Sequence, residues 1–269
     1  MSLYLLSAIN PTKRVINLLH RIFAKFFWSG NRGERRKHWV AWEDICFPKK
    51  EGGVGFRTLH GVTKALFSKL WWRFRVSTDS LWITYMWNKY CKKQHPVIAG
   101  ARGASHVWKK IMEMRKEVEQ EIGWQIKSGN SSFWYDNWTR KGALYLTNEE
   151  DIEVQMCINN GEWDKEKLCE LVSEEVVVQI IKNIKLNVRQ DEVGQPWWML
   201  NTSGIFSVKS AFEIVRDRKP QQDWLENIWL QEIPFKIIFF PIEGRKWENC
   251  NGGQSKKYEG IASFKMLLL

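Results

Sequence analysis

"VTKALFSKLWWRFRV", from Val62 to Val76, carries two patterns at once. Val62, Leu66, Leu70 and Phe74 recur at helical spacing and share one face. Lys64, Lys69, Arg73 and Arg75 lie largely off that face. An apolar stripe on a helix has to be buried against another element. The segment therefore predicts an amphipathic helix with a basic remainder, with at least one of Trp71 and Trp72 turned to the core.

Toward the N-terminus, Asn10-Pro11 reads as a helix start, with Asn as N-cap and Pro at the first helical position. Val15, Leu18, Leu19, Ile22, Phe23, Phe26 and Phe27 follow at helical spacing, and Gly30 is placed to stop the helix. Between the two helices lies "KHWVAWEDICFPKKEGGVGFRTL", Lys37 to Leu59. It reads as turns and short extended pieces, punctuated by Pro48 and Gly52-Gly53. Toward the C-terminus, "SHVWKKIMEMRKEVEQEI" predicts a third, more polar helix. "WQIKSGNSSFWYDNW" alternates around Gly129-Asn130 and predicts a β-hairpin or similar turn. "DKEKLCELVSEEVVVQIIKNI" predicts a helix with Asp164 as N-cap. "QPWWMLNTSGIFSVKSAFEIV" reads as strand, turn, strand, and a helix from near Val208. After Phe240 the pattern is lost, and the chain ends in "FKMLLL".

The expected fold is mixed and α-rich. A helical, basic, Trp-rich part (1–120) precedes a smaller α+β unit, with a hairpin and a helix in 121–190. A further segment covers 191–240, and a divergent tail, disordered or poorly packed, covers 241–269.

The 269 residues carry a formal net charge of +11, unevenly spread. Residues 1–127 hold 24 Lys and Arg against 9 Asp and Glu, whereas 128–269 hold 17 against 21. A basic body attracts polyanions, either nucleic acid or an anionic membrane surface. The alternative is charge that only keeps the protein soluble. Seventeen tryptophans mean either a Trp-rich core or a surface that stacks on something. Cys46, Cys91, Cys157, Cys169 and Cys250 are scattered and form no C-x-x-C, which reads as free thiols in a reducing compartment. "MSLYLLSAIN" lacks the basic n-region of a signal peptide, and no apolar run approaches the length of a membrane span. The expected location is intracellular, nuclear or cytoplasmic, without secretion or membrane insertion.

Chemistry-bearing motifs are sparse. There is no G-x-x-x-x-G-K-[ST] phosphate loop and no G-x-S-x-G elbow. His20, His38, His60, His95 and His106 are far apart and adjoin no cysteine pair, so no metal, cofactor or small-molecule substrate is expected. Glu149-Glu150-Asp151 and Asp191-Glu192 read as solvated loops. Asp136, set among aromatics, reads as a carboxylate that caps a turn or accepts a tryptophan N–H. The remaining signal is the interleaving of cations with aromatics in "KALFSKLWWRFR" and "ERRKHWVAW". Cations neutralise phosphates and aromatic faces stack on exposed bases. The candidate contacts are Arg35, Arg36, Lys37, Lys49, Lys50, Lys64, Lys69, Arg73 and Arg75. The competing explanation is a Trp-rich buried face with a basic solvent face.

Six stretches in order carry a family resemblance: "YLLSAINPTKRVINLLHRIFAKFFWSG", "HWVAWEDICFPKKEGGVGFRTL", "KALFSKLWWRF", "WQIKSGNSSFWYDNW", "GIFSVKSAF" and "WLENIWLQEIPFKIIFF". Together, over roughly Leu3 to Phe240, they resemble the C-terminal part of the reverse-transcriptase polyprotein of plant LINE-type (non-LTR) retrotransposons. The resemblance implies a connection just after the polymerase thumb, placed to hold a template–primer or the element's RNA. It also implies that 191–240 is the truncated start of a reverse-transcriptase zinc-binding domain. The Tyr/Phe-Ala-Asp-Asp polymerase motif does not occur, and after Phe240 only Cys250 remains where the family supplies Cys and His ligands. The expectation is a non-catalytic fragment with residual, sequence-nonspecific RNA or DNA binding. The alternatives are a nuclease of RNase H type and a product with no activity.

Overall fold

The computed structural model describes residues 3–29, 38, 40–76, 80–92, 94–144, 151–186 and 194–221. Among them the chain forms α1 (Leu3–Ile9), α2 (Lys13–Trp28), α3 (Trp42–Ile45), α4 (Leu59–Val76), α5 (Leu81–Met86), α6 (His106–Val118), β1 (Ile122–Trp124), β2 (Ile158–Asn159), β3 (Glu162–Trp163), α7 (Lys165–Leu171), α8 (Glu174–Asn183), β4 (Pro196–Trp198) and α9 (Val208–Val215). The α-rich mixed fold expected from the sequence is the one that forms. Its sheets are two antiparallel pairs, β1 with β4 and β2 with β3. Two compact units result. Among the described residues, one takes 3–13 and 59–217, the other 14–58 and 218–221. The sequence boundaries at 120 and 190 fall inside the first unit.

The first unit is built around α4, which α1, α6 and α9 pack against. Trp71, Trp108, Trp134, Trp138 and Trp198 are all fully buried in it, so much of the tryptophan surplus is core. Being enclosed on several sides, α4 is buried further round than one stripe. Ala65, Phe67, Ser68, Trp71, Phe74 and Arg75 are buried, while Val62, Leu66, Leu70 and Trp72 are half-buried. Only Lys69, Arg73 and Val76 are exposed. The expected stripe at Val62, Leu66 and Leu70 is thus a flank of the buried surface rather than its centre.

The hairpin expected around Gly129-Asn130 does not form. Gly129 does turn, with φ +79°, but β1 pairs instead with the distant β4. The reason lies in residues 131–138, every one of which is buried. Ser132 N–H donates to Asp136 Oδ2 at 2.9 Å, and Tyr135 N–H donates to Ser132 Oγ at 3.1 Å. These local side-chain bonds give the backbone partners other than a ladder. The helix expected after Asp164 is two helices, α7 and α8, with Val172-Ser173 between them. Asp164 is the N-cap, accepting from Lys167 N–H at 3.1 Å. The second strand expected near Ile205 is a turn whose Gly204 carbonyl accepts from Trp198 N–H at 2.9 Å.

In the second unit, Ile16, His20, Ala24 and Trp28 form the buried side of α2. Ala24 and Trp28 pack with Val40 and Ile45 into a small core, flanked by Phe27, Trp42 and Val54. The expected stripe is displaced again: Val15, Leu18, Ile22, Phe23 and Phe26 are exposed. Asn10 does not cap α2, which begins at Lys13. It turns the chain between α1 and α2 at φ +47° and bonds His106 Nδ1 at 3.0 Å. Gly53 allows a close approach, since a Cβ there would lie 2.0 Å from the Phe47 carbonyl oxygen. Gly30 and the tail after Phe240 lie outside the described residues.

Candidate nucleic-acid interface

Lys69 and Arg73 are one helical turn apart on the exposed edge of α4. Beside them, β4 presents Trp197. Successive strand residues point to opposite faces, so Trp198 enters the core while Trp197 stays half-buried at the surface. The Trp197 ring rests on the backbone of Gly204, where an added Cβ would meet two ring carbons at 2.4 Å. Trp72 stacks on Phe206, with centroids 5.8 Å apart and planes 19° apart. With Gln125 and Gln195 these residues line an open groove of about 420 Å³. No acidic side chain lines it. Among the described residues, Lys69 and Arg73 have no ion-pair partner.

The other predicted contacts lie elsewhere. Lys64 is half-buried, donating to the Val215 carbonyl at 3.3 Å and lying 4.0 Å from Glu117. Lys49 and Lys50 are exposed on a 3-10 turn of the second unit. Arg35, Arg36 and Lys37 lie outside the described residues. Arg75 requires a correction: it is buried and faces inward. Its Nη2 pairs with Asp136 Oδ1, its Nε lies 3.4 Å from Glu119 Oε1, and its guanidinium sits 5.0 Å from the centroid of the Trp124 ring. Sequence reasoning missed Gln125, Gln195, Trp197 and Phe206. The alternation in "PWW" was a usable signal for Trp197, but pairing Gln125 with Gln195 needed the long-range β1–β4 register.

Arg75 belongs to a buried polar cluster. His95 Nε2 is 3.3 Å from Asp136 Oδ1, and the His95 ring stacks on Tyr135. Trp71 Nε1 donates to Glu119 Oε2 at 2.6 Å. Burial by itself raises Asp136, but the adjacent Arg75 charge and the His95 and Ser132 hydrogen bonds outweigh it and hold the carboxyl below its ordinary range. Burial raises Glu119 to about 7 despite Arg75, whose closest partner is Asp136. Burial and the Arg75 charge lower His95. The turn-capping role expected of Asp136 is present, and the carboxylate that accepts a tryptophan N–H is Glu119. The cluster borders a cavity of about 550 Å³ that also meets Asp151 and Glu153. Among the described residues, no group of three or more His, Cys, Asp or Glu stands where it could hold a metal ion. Burial pushes the thiols of Cys91 and Cys157 up to about 11 and that of Cys46 up to about 12, so all three stay protonated.

Two proteins of Arabidopsis thaliana are similar to the chain. One, described as "Putative ribonuclease H protein", is 26% identical over 258 residues, covering 89% of this chain and 41% of its own length. The other, an uncharacterized mitochondrial protein, is 26% identical over 142 residues, covering 51% of this chain and 92% of its own. The chain therefore spans less than half of the first relative. No family model matches the chain, and no solved structure matches it. Among the described residues, no helix is long and apolar enough to cross a membrane.

Proposed function

We propose that the chain is a non-catalytic piece of a LINE-type reverse-transcriptase polyprotein that binds RNA or DNA without sequence preference. The observation that carries this reading is the open groove holding Lys69 and Arg73, two exposed cations with no ion pair among the described residues. Such cations are available to phosphates. The surplus of basic residues in 1–127 supports the same reading, as do the six ordered motifs. Binding is tested by titrating a labelled oligonucleotide between about 50 and 200 mM salt, where phosphate-driven affinity falls steeply. Replacing Lys69 and Arg73 together by Ala should lower the salt slope by about two, since each phosphate contact contributes about one. An unchanged slope and affinity in a normally folded variant would leave those residues as plain solvated surface.

The second reading, a nuclease of RNase H type, draws on the first relative's name. Against it, Asp136 is committed to Arg75. Two-metal hydrolysis needs carboxylates that are free to converge on the ions. A labelled RNA–DNA hybrid with Mg²⁺ or Mn²⁺ decides between the two. We expect no cleavage; chelator-sensitive cleavage that copurifies with the protein would favour the nuclease.

A further inference from the structure

The aromatic wall of the Lys69–Arg73 groove is more than charge neutralisation needs. Cations on a helix edge suffice to hold a phosphate backbone. Here they stand beside Trp197, Trp72 and Phe206. Trp72 and Phe206 are stacked on each other and form the fixed part of the wall. Trp197 is different. One side of its ring is supported by the Gly204 backbone, the side chain is half-exposed, and no ring contact to another aromatic is formed among the described residues. Gln125 and Gln195 also line the groove, and their side-chain amides make no hydrogen bond among the described residues. A volume of about 420 Å³ exceeds what a lone phosphate needs and leaves room for a planar ring.

From this juxtaposition we infer that the groove takes an unpaired nucleobase of a single strand, stacked at Trp197, with its flanking phosphates on Lys69 and Arg73. The inference rests on the nucleic-acid reading above and narrows it. Every base has a π-face, so stacking tolerates any sequence. An amide offers both donor and acceptor, so Gln125 and Gln195 can meet any base edge. Bases inside a duplex are already stacked and paired, and reaching one has an unstacking cost. Single strands are therefore preferred to duplexes. RNA and DNA share the recognised chemistry, a base on a phosphodiester backbone, and the test includes both.

The experiment uses the full chain and labelled twelve-nucleotide probes of equal length: a ribo-strand, a deoxyribo-strand, their duplex, and an abasic deoxyribo-strand carrying the same phosphates. The base-bearing single strands should bind at least about fivefold more tightly than the abasic strand. One stacked base is worth ~1–3 kcal/mol, or roughly 5- to 150-fold. Trp197→Ala should remove that difference, leaving abasic affinity and the salt slope unchanged. Trp197→Phe, which keeps an aromatic face, should restore most of it. Equal binding of abasic and base-bearing strands by the wild-type chain would overturn the stacking site while leaving charge-driven binding standing. A duplex bound as tightly as either single strand would do the same. Binding of no probe at about 50 mM salt would overturn both readings. The wild-type comparison needs no variant, so a folding defect in Trp197→Ala could not rescue the inference.

Discussion

Arg75 and Arg73 are two residues apart on α4 and behave as different kinds of cation. Arg73 is exposed, whereas Arg75 is buried with Asp136, Glu119 and His95. Removing one member of a buried pair leaves an uncompensated charge, at a cost of ~3–5 kcal/mol. Arg75→Ala should lower stability to denaturant by that order. Adding Asp136→Asn should recover part of the loss, because the stranded carboxylate is gone. Lys69→Ala or Arg73→Ala should stay within about 0.5 kcal/mol of wild type. Glu119 makes a second residue-scale prediction. Its carboxyl is raised from 4.5 to about 7 by burial. Between those values the folded protein holds a proton that the unfolded chain has released, so stability falls as pH rises through the window, by at most roughly 3 kcal/mol. Asp136 runs the other way. Its depressed carboxyl stabilises the fold above its unfolded value of 3.8 and loses that contribution as pH falls further. Thermal melts at pH 5 and pH 8 should therefore show a decline in wild type that Glu119→Gln flattens, whatever the variant's absolute stability.

At the scale of elements, caps and close approaches place the boundaries. Asp164 satisfies the Lys167 N–H at the start of α7. Losing such a cap costs ~1 kcal/mol, so Asp164→Ala should shift the denaturant midpoint by that amount without changing the m-value. Gly53→Ala should be far more damaging, since the Cβ would fall 2.0 Å from a backbone oxygen and the turn after α3 would have to open. The Gly52-Gly53 turn and the Asp164 cap were readable in sequence because they depend on residues a few positions apart. The β1–β4 pairing was not, because its register joins Ile122 to Trp198, with most of the first unit's C-terminal half between them.

At the scale of the molecule, helix faces are decided by what surrounds them. α2 buries Ile16, His20, Ala24 and Trp28 and leaves Ile22 53% and Phe26 82% exposed. Exposed apolar surface of this kind promotes association. Phe26→Ser with Ile22→Ser should raise the soluble concentration reached before light scattering appears, with little change in the melting temperature. Had the strongest apolar stripe been the buried one, the same change would lower that temperature by many degrees.

The sequence by itself determined the α-rich class, the helical stretches that become α2, α4, α6 and α9, the Asp164 cap and the uneven charge, all of which follow from local backbone preferences and composition. It also limited the basic-aromatic candidates to nine cations, two of which, Lys69 and Arg73, line the groove. Only the tertiary structure decided which side of α4 and α2 is buried, that Arg75 is an internal ion-pair partner, and that Trp197, Gln125 and Gln195 join Lys69 and Arg73. Periodicity records that a helix has an apolar side. Which residues leave water depends on what encloses the helix, and among the described residues α1, α6 and α9 all pack against α4, the last drawn from the far end of the unit.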